Sequence, residues 1–456
     1  MSADPVTLHR LVRLRPLVLA LFALLLAAPA AAAQSTDPVQ DTIDALEASG
    51  QADPVVADAW SRDWRDARIA RRRLGGTAGA QLAGVVRNTE TLAKREMLAL
   101  RIKPAMLVVQ RNVEWYWRDR QAAPANGTRR AFPGSDVVLQ HYAGHGWQLQ
   151  PLANLGTLNA LSRRRRITER TRAWADDVLD LAVRRDGAIA FEYMFPFSGG
   201  GPGWASAMPQ AIALETYARL GRRAEARQML ELFRLDPPAG VRFITGPGQA
   251  HFLMYPQAPR LLIGNGFAQA LLSLHAYLAL EPGDPAVREA YDMALNEARA
   301  GMSLYDTGAW SLYYHEPGSA RGAESDLHYH RLFRELLEKL CDRIGGEPFC
   351  SMADSFAVYE TEPVRFGTPR IVASRRRIEG RVFVSKRSSV RATLWRDDVP
   401  VRAATGAAKR GTFRVRFARP REAGEYRIVF EATALTGQRS TTEVLRELGR
   451  RPSAAR

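Results

Sequence analysis

Tyrosine, histidine and arginine side chains recur in three short segments of the middle of this chain. A tyrosine hydroxyl can take or return a proton when nearby arginines favour the phenolate. A guanidinium group binds a carboxylate through two parallel hydrogen bonds. The residue types therefore indicate proton transfer beside a bound carboxylate. The residues concerned are Tyr255, Arg260, Tyr313, Tyr314, His328, Tyr329 and His330.

These side chains belong to an ordered series of motifs. The stretch 200–210 reads Gly-Gly-Pro-Gly-Trp-Ala-Ser-Ala-Met-Pro-Gln, and it is followed by Tyr-Pro-Gln-Ala-Pro at 255–259 and Gly-Asn-Gly-Phe at 264–267. Together they resemble the C-terminal catalytic domain of the D-glucuronyl C5-epimerases, which invert C5 of glucuronate within heparosan-type polysaccharides. The resemblance runs from Pro202 to Leu340.

The resemblance implies roles for individual residues. Tyr255, Tyr313 and Tyr329 match catalytic tyrosines, with Tyr314 as the rival of Tyr313. Arg260 is the preferred uronate binder, with Arg242 and Arg321 as alternatives. The reaction needs no redox cofactor, and we expect no cofactor and no metal. The remaining expected substrate contacts are Trp204, Gln210, Asn265, Tyr314 and His330.

Each element also has a structural interpretation. Trp204 and Phe267 are typical core or groove-wall aromatics, and Asn265 is a strong helix N-cap residue. In the family, an acidic residue directly precedes the Tyr-Pro tyrosine. Here Met254 occupies that position, and a methionine cannot exchange protons. His328 occupies a position where the family has a carboxylate, and imidazole is the side-chain group whose ordinary pKa lies nearest neutrality. We expect His328, or else His330, to supply the missing acid or base.

The N-terminus predicts export. Arg10, Arg13 and Arg15 precede an apolar run from Leu17 to Leu26 and an alanine-rich stretch ending at Ala33, the order of a secretory signal sequence. We therefore expect residues 1–33 to be removed and the protein to be periplasmic or secreted, with an uncleaved N-terminal anchor as the alternative. Elsewhere no apolar run is long enough to span a membrane, so stable membrane insertion is not expected.

The net charge of +16 favours an anionic partner, here a uronate-containing polysaccharide. Nucleic acid is disfavoured because export is predicted and no recognition motif is present. A homodimer is left open. Cys341 and Cys350, the only cysteines, are expected to form a disulfide outside the cytoplasm.

Hydrophobic periodicity divides the rest of the chain. Residues 34–150 predict a helical and β region, with a helix over Thr91–Leu100, a β-like segment over Arg111–Trp117 and further strands over Val137–Gln148. Residues 151–358 predict helices beginning near Trp204, Gly266, Asp284 and Asp326, which the resemblance implies form an incomplete (α/α) toroid. Alternating patterns over 359–440 predict a separable Ig-like or fibronectin-III-like sandwich, and 441–456 a basic tail.

The fold expectation is thus mainly α, with a small preceding β region and a C-terminal β-sandwich. The function expected is C5 epimerisation of polymeric glucuronate. A polysaccharide lyase would use the same proton abstraction and is the enzymatic alternative. The third possible function is that of a non-catalytic protein that binds anionic polysaccharide, because Met254 stands where the family has an acidic residue.

Overall fold

The computed structural model describes residues 37–319 and 321–449. The predicted signal sequence, residues 1–33, lies outside the described residues. Over the described residues, the chain forms one compact unit from Pro38 to Gly449. Its helical-plus-β composition confirms the coarse fold expectation. Within the described residues, no helix is both long and apolar enough to cross a bilayer.

The N-terminal part packs four helices against a small antiparallel sheet with strand order β1-β2-β3. The sheet confirms the β region predicted around Val137–Gln148. The elements are α1 Pro38–Ala48, α2 Pro54–Arg73, α3 Gly76–Lys94, α4 Ile102–Asn112, β1 Arg129–Ala131, β2 Val138–Tyr142 and β3 Gly146–Leu149.

Two local predictions in this part are wrong. Helix α3 ends at Lys94, because Glu96 adopts a left-handed φ of 57°, so Thr91–Leu100 is not one helix. The β-like segment Arg111–Trp117 continues α4 into a π-helical turn over Val113–Arg118. Asn112 donates from its amide to Val108 O and Trp147 O, both at 2.7 Å, which fixes this turn against β3. Tertiary packing thus overrides the β propensity of the aromatic run.

The central part alternates helices with short strands. Helices α5, α7, α9 and α11 pack side by side in that order, and each packs against the helix that follows it. The elements are α5 Pro151–Ser162, α6 Glu169–Asp180, β4 Val183–Arg185, β5 Ala188–Ala190, β6 Glu192–Tyr193, β7 Trp204–Ala205, α7 Ala207–Arg219, α8 Arg223–Leu230, β8 Arg242–Gly246, β9 Gln249–Phe252, β10 Leu262–Ile263, α9 Gly264–Leu280, α10 Pro285–Gly301, β11 Leu312–His315, β12 Gly322–Glu324, α11 Leu327–Arg343 and α12 Phe349–Thr361.

Burial explains this order of helices. Helices α7 and α9 are buried on nearly all sides and therefore lie inside, whereas α10 buries only one stripe of residues. Asp284 and Asp326 cap α10 and α11 as predicted, and Gly266 lies in the first turn of α9. Trp204 belongs to strand β7, so α7 begins three residues later than predicted, at Ala207.

The C-terminal part consists of two antiparallel sheets around one hydrophobic cluster, with orders β13-β14-β17 and β16-β15-β18-β19. The predicted tail is partly wrong, because β19 pairs with β18 along its length. The strands are β13 Arg370–Ala373, β14 Arg377–Val384, β15 Ser388–Arg396, β16 Val399–Ala408, β17 Gly411–Ala418, β18 Gly424–Ala434 and β19 Arg439–Leu448.

The two sheets are attached to the helices by specific contacts. Glu324 on β12 accepts hydrogen bonds from the backbone of Arg387 at 3.0 Å and of Arg410 at 2.7 Å. Lys386 is only 2% exposed, and its ammonium donates to Tyr359 O and Glu362 O at the end of α12. These contacts attach the two sheets to the central part, whereas the hydrophobic clusters of the two parts are separate, and the separability of the sandwich stays a prediction.

A disulfide joins Cys341 on α11 to Cys350 on α12, with Cα atoms 4.9 Å apart. The predicted bond is confirmed. It closes the turn between the last two helices of the central part and constrains the unfolded chain.

Candidate active site

Three of the predicted tyrosines lie together. The hydroxyl oxygens of Tyr255 and Tyr313 are 3.2 Å apart, within hydrogen-bond distance. The ring of Tyr329 lies 4.8 Å from that of Tyr313, centroid to centroid. Residues far apart in sequence thus present phenol groups to one place, as the motifs predicted.

Separate elements hold the three phenols. Tyr255 begins a turn after β9, closed by a 2.8 Å bond from Ala258 N to Tyr255 O. Tyr313 lies on β11, between β10 and β12. Tyr329 is in the first turn of α11, where its backbone N–H donates to the capping carboxylate of Asp326 at 2.8 Å. Strand pairing and helix capping therefore fix the side chains relative to one another.

The contacts also decide between the two neighbouring tyrosines. Tyr313 contacts both Tyr255 and Tyr329. Tyr314 is the residue that pairs with Ile263 on β10 and with Ala323 on β12. Successive strand side chains point to opposite faces, so Tyr313 is the member of the phenol cluster.

The glycine-rich stretch brings Trp204 to the cluster. Gly203 has a φ of 88° and donates to Tyr193 O at 2.8 Å, a left-handed turn that favours glycine. A Cβ atom there would lie 2.8 Å from Arg101 Nε, so the close approach also requires glycine. The turn stacks Trp204 on Tyr193 at 4.3 Å and places it 5.9 Å from Tyr255.

A buried ion pair supports this turn. Arg101 donates to Glu192 through Nε at 2.7 Å and through Nη2 at 3.2 Å. Arg185 Nε donates to the same carboxylate at 2.7 Å. Glu192 precedes Tyr193, so two guanidinium groups fix the strand beneath Trp204.

The sequence did not predict one further contributor, Tyr142 on β2. Its ring lies 4.4 Å from Phe195, which in turn contacts Trp204, and Gln150 Nε2 donates to its hydroxyl at 2.5 Å. Tyr142 is half-buried. The aromatic and histidine side chains of Val137–Gln148 were the available signal for a site residue, but the pattern of this segment predicts only strands.

Burial disfavours ionisation of Tyr255, Tyr142 and Tyr313, because it raises the pKa of each. Burial raises the pKa of Tyr255 to about 12, opposed by the hydrogen bond from Tyr313, and the pKa of Tyr142 also rises to about 12 by burial. Burial and Tyr255 raise the pKa of Tyr313 further. Tyr329 and Tyr142 add to the rise in the pKa of Tyr255, so these groups lie within electrostatic reach of one another.

The sequence also did not predict a role for Arg129, which acts electrostatically on two tyrosines beside the cluster. Arg129 on β1 lowers the pKa of both Tyr142 and Tyr193, against the dominant effect of burial. Its Nε donates to Gln140 at 2.6 Å. Arg129 is exposed, so its remaining N–H groups can bind an anion at the edge of the cluster.

The predicted arginines have other settings. Arg260 is exposed and donates to Pro317 O at 3.3 Å, in the connection between β11 and β12. Arg242 donates to Asp236 at 2.8 Å. Arg321 is exposed and immediately precedes β12, and its backbone N–H donates to Ser319 Oγ. Arg260 thus connects the Tyr255 turn to the strand pair that carries Tyr313.

Two predicted substrate contacts are buried and hold the fold instead. Gln210 is 0% exposed and its amide bonds to Phe191 N and to Ile189 O. His330 is also 0% exposed, lies stacked on Trp310 at 3.6 Å and accepts a hydrogen bond from Ser311 N. Burial lowers the pKa of His330 to about 4, so it is neutral and positions Ser311, two residues before Tyr313.

The two remaining residues differ in exposure. His328 is exposed, and its ring lies 5.4 Å from that of Tyr329. Asn265 is 2% exposed, and neither its amide nitrogen nor its oxygen has a hydrogen-bond partner. His328 is therefore accessible to a ligand at the tyrosine cluster.

Met254 packs on the start of α9. A Cβ atom at Gly266 would meet Met254 Sδ at 2.8 Å, so the side chain lies directly on the helix backbone. The family's acidic position is thus occupied here by an apolar packing contact. Across the described ranges, 37–319 and 321–449, no group of three or more metal-binding side chains occurs.

Comparison with known proteins agrees with this geometry. Residues 185–357 match the protein family described as D-glucuronyl C5-epimerase C-terminus. A search of curated proteins finds no match. The matched segment contains Tyr255, Tyr313 and Tyr329, while Tyr142 and Arg129 precede it. Residues 185–357 of this chain are therefore similar to the D-glucuronyl C5-epimerase C-terminal family.

Proposed function

We propose that this protein is an exported enzyme that inverts C5 of glucuronate units within an anionic polysaccharide. The observation that carries the proposal is the 3.2 Å contact between the hydroxyls of Tyr255 and Tyr313 within the family segment. Export rests on the N-terminal sequence pattern.

Tyr255 is the proposed base. When Tyr255 is ionised, its phenolate oxygen accepts a hydrogen bond from the Tyr313 hydroxyl, and this bond opposes the rise that burial causes in the pKa of Tyr255. The phenolate takes the C5 proton: the C5–H bond breaks, an O–H bond forms, and the electron pair moves into the carboxylate. Charge on that carboxylate requires cationic donors, and Arg129 and Arg260 are the proposed ones.

An acid on the opposite face of the sugar returns a proton to C5. Tyr329 is the proposed acid, and His328 is its alternative, since the family's carboxylate is absent at Met254. The new C5–H bond takes the electron pair back from the carboxylate. Exchange of the two phenols with solvent then restores the starting protonation.

The aromatic surface fits a sugar polymer. Phe197 is 43% exposed and its ring lies 4.9 Å from that of Tyr255, beside Trp204. Aromatic rings combine an apolar face with polar edges, which suits the alternating surfaces of sugar rings. Asn265, whose amide has no hydrogen-bond partner, completes the proposed binding set.

The fold proposed for this function is an incomplete (α/α) toroid followed by an Ig-like sandwich. The packing of α5, α7, α9 and α11 in series, each backed by the next helix, supports the toroid. The shared hydrophobic cluster of the two C-terminal sheets supports the sandwich.

The reaction is tested by incubating the protein with heparosan in deuterated water. We expect deuterium at C5 with some C5-inverted product and intact chains. Unsaturated chain ends would indicate a polysaccharide lyase instead. Binding of heparosan with no exchange would indicate a non-catalytic binding protein.

A further inference from the structure

The outer face of the three-stranded sheet β13-β14-β17 carries a strip of arginines. Strand residues alternate between faces, and Ile378, Val382 and Val415 point into the core. The other face of the sheet therefore presents the intervening residues. The charged residues on it are Arg370, Arg377, Glu379, Arg381, Arg414 and Arg416, and they share the face with Val372, Phe383, Thr412 and Ala418.

Register places three of these arginines in one row. Arg370 is opposite Arg381, and Arg381 is opposite Arg414 on its other side. Like charges directly opposite one another destabilise a sheet unless an anion lies across them. Among the described residues, Arg370 and Arg414 have no ion-pair partner, so their guanidinium groups are available.

Glu379 carries the only carboxylate among the described residues of this face. It holds two of the arginines in position and leaves the face with a net positive charge. Glu379 accepts from Arg381 Nε at 2.5 Å and from Arg416 Nε at 2.7 Å. These two hydrogen bonds hold the pKa of Glu379 below its usual range. Two guanidinium groups are thereby held in position with most of their N–H donors directed elsewhere.

The outer face of the opposite sheet lacks this excess of positive charge. On its outer face Arg391, Arg427 and Arg439 share the surface with four glutamates. Arg427 is paired with Asp398 and Glu443. Because both faces belong to one pair of sheets, the high arginine content of the chain does not explain the strip.

The Phe383 end of the strip is connected to β11, the strand that carries Tyr313. Arg410, immediately before β17, stacks over Phe383 at 6.0 Å, and its backbone N–H donates to Glu324. Glu324 lies opposite Leu312 on β11, the strand of Tyr313. From Phe383 to Arg377 the strand extends about 20 Å, at about 3.3 Å per residue. That length fits several sugar units.

We propose that this strip is a second binding surface for the same anionic polysaccharide, which holds the chain outside the tyrosine cluster. The inference rests on the proposed function for the identity of the polymer. An exposed aromatic residue, Phe383, and unpaired guanidinium groups match alternating sugar rings and carboxylates. A short oligosaccharide that fills only the tyrosine cluster does not reach the strip.

The test compares two triple variants of the full chain. Arg370→Gln, Arg381→Gln and Arg414→Gln together remove the row, while Arg391→Gln, Arg427→Gln and Arg439→Gln remove equal charge from the opposite face. We expect the first variant to raise the Kd for heparosan about tenfold or more, with a weaker salt dependence. Isotope exchange on a heparosan tetrasaccharide should be unchanged, and the control triple should bind heparosan as the wild type does.

Equal loss of heparosan binding in both triple variants, or no loss in the first, would contradict the proposal that the strip binds the polysaccharide. Wild-type binding to anionic phospholipid vesicles but not to heparosan would also overturn it. Because binding is measured without turnover, a wild type that shows no exchange rejects the proposed reaction and leaves this test intact. Thermal unfolding of both triples checks that each remains folded.

Discussion

Tyr255 and Tyr313, which lie on different elements, share a hydrogen bond of 3.2 Å between their hydroxyl oxygens. The pair forms because the Tyr-Pro turn after β9 faces strand β11. Burial makes each phenol a weak acid, and the contact makes Tyr255 the more readily ionised of the two.

Tyr313→Phe should lower C5 isotope exchange about 10²-fold, because Tyr255 loses the donor that stabilises its phenolate. The change keeps the ring against Tyr329. Tyr314→Phe on the same strand is the matched control and should retain most of the activity. Equal losses in both variants would mean that the strand, rather than the hydroxyl, is being perturbed.

The pH dependence distinguishes Tyr255 from His328 as the base. The pKa of Tyr255 is raised to about 12, so its deprotonated fraction grows up to tenfold per pH unit below that value. We expect kcat/KM for exchange to rise from pH 6 to pH 9 without a plateau. A plateau above pH 7, lost in His328→Gln, would assign the base to the histidine.

Arg129→Gln should weaken substrate binding and exchange, since Arg129 is the cation that acts on Tyr142 and Tyr193. Its neighbour Arg130 stacks over Trp115 at 4.8 Å instead. Arg130→Gln is therefore the control. Exchange kinetics on heparosan measure both, and similar losses would contradict a specific role for Arg129.

Glu324→Ala should lower exchange and stability, because the carboxylate joins the backbone of Arg387 and Arg410 to the strand beside β11. The loss leaves two backbone donors unpaired. Thermal unfolding and exchange assays check this, with the exposed Glu335→Ala as control. Full activity and unchanged unfolding in Glu324→Ala would contradict this role of the carboxylate.

The sequence predicted those parts that depend on local chemistry. Asp284 and Asp326 cap helices as expected, and the alternating strands after residue 359 follow their hydrophobic pattern. Arg111–Trp117 was misassigned because its β-like composition is overridden by the bonds of Asn112 to α4 and β3. Local propensity does not contain that information.

The site was predicted where ordered motifs carry it and missed where contacts cross between regions. Tyr142 reaches the cluster through Phe195, and no sequence spacing joins these two residues. Gln210 and His330 match family positions but serve the core. A motif identifies a residue type at a position, whereas burial and partners determine whether it faces a ligand.

Exchange at C5 by Tyr255→Phe is the most direct test of the account. The variant and the wild type are incubated with heparosan in deuterated water, and polymer binding is measured in parallel. We expect exchange to fall about 10²-fold or more while binding and thermal unfolding stay close to wild type. Undiminished exchange in Tyr255→Phe would contradict the assignment of Tyr255 as the base.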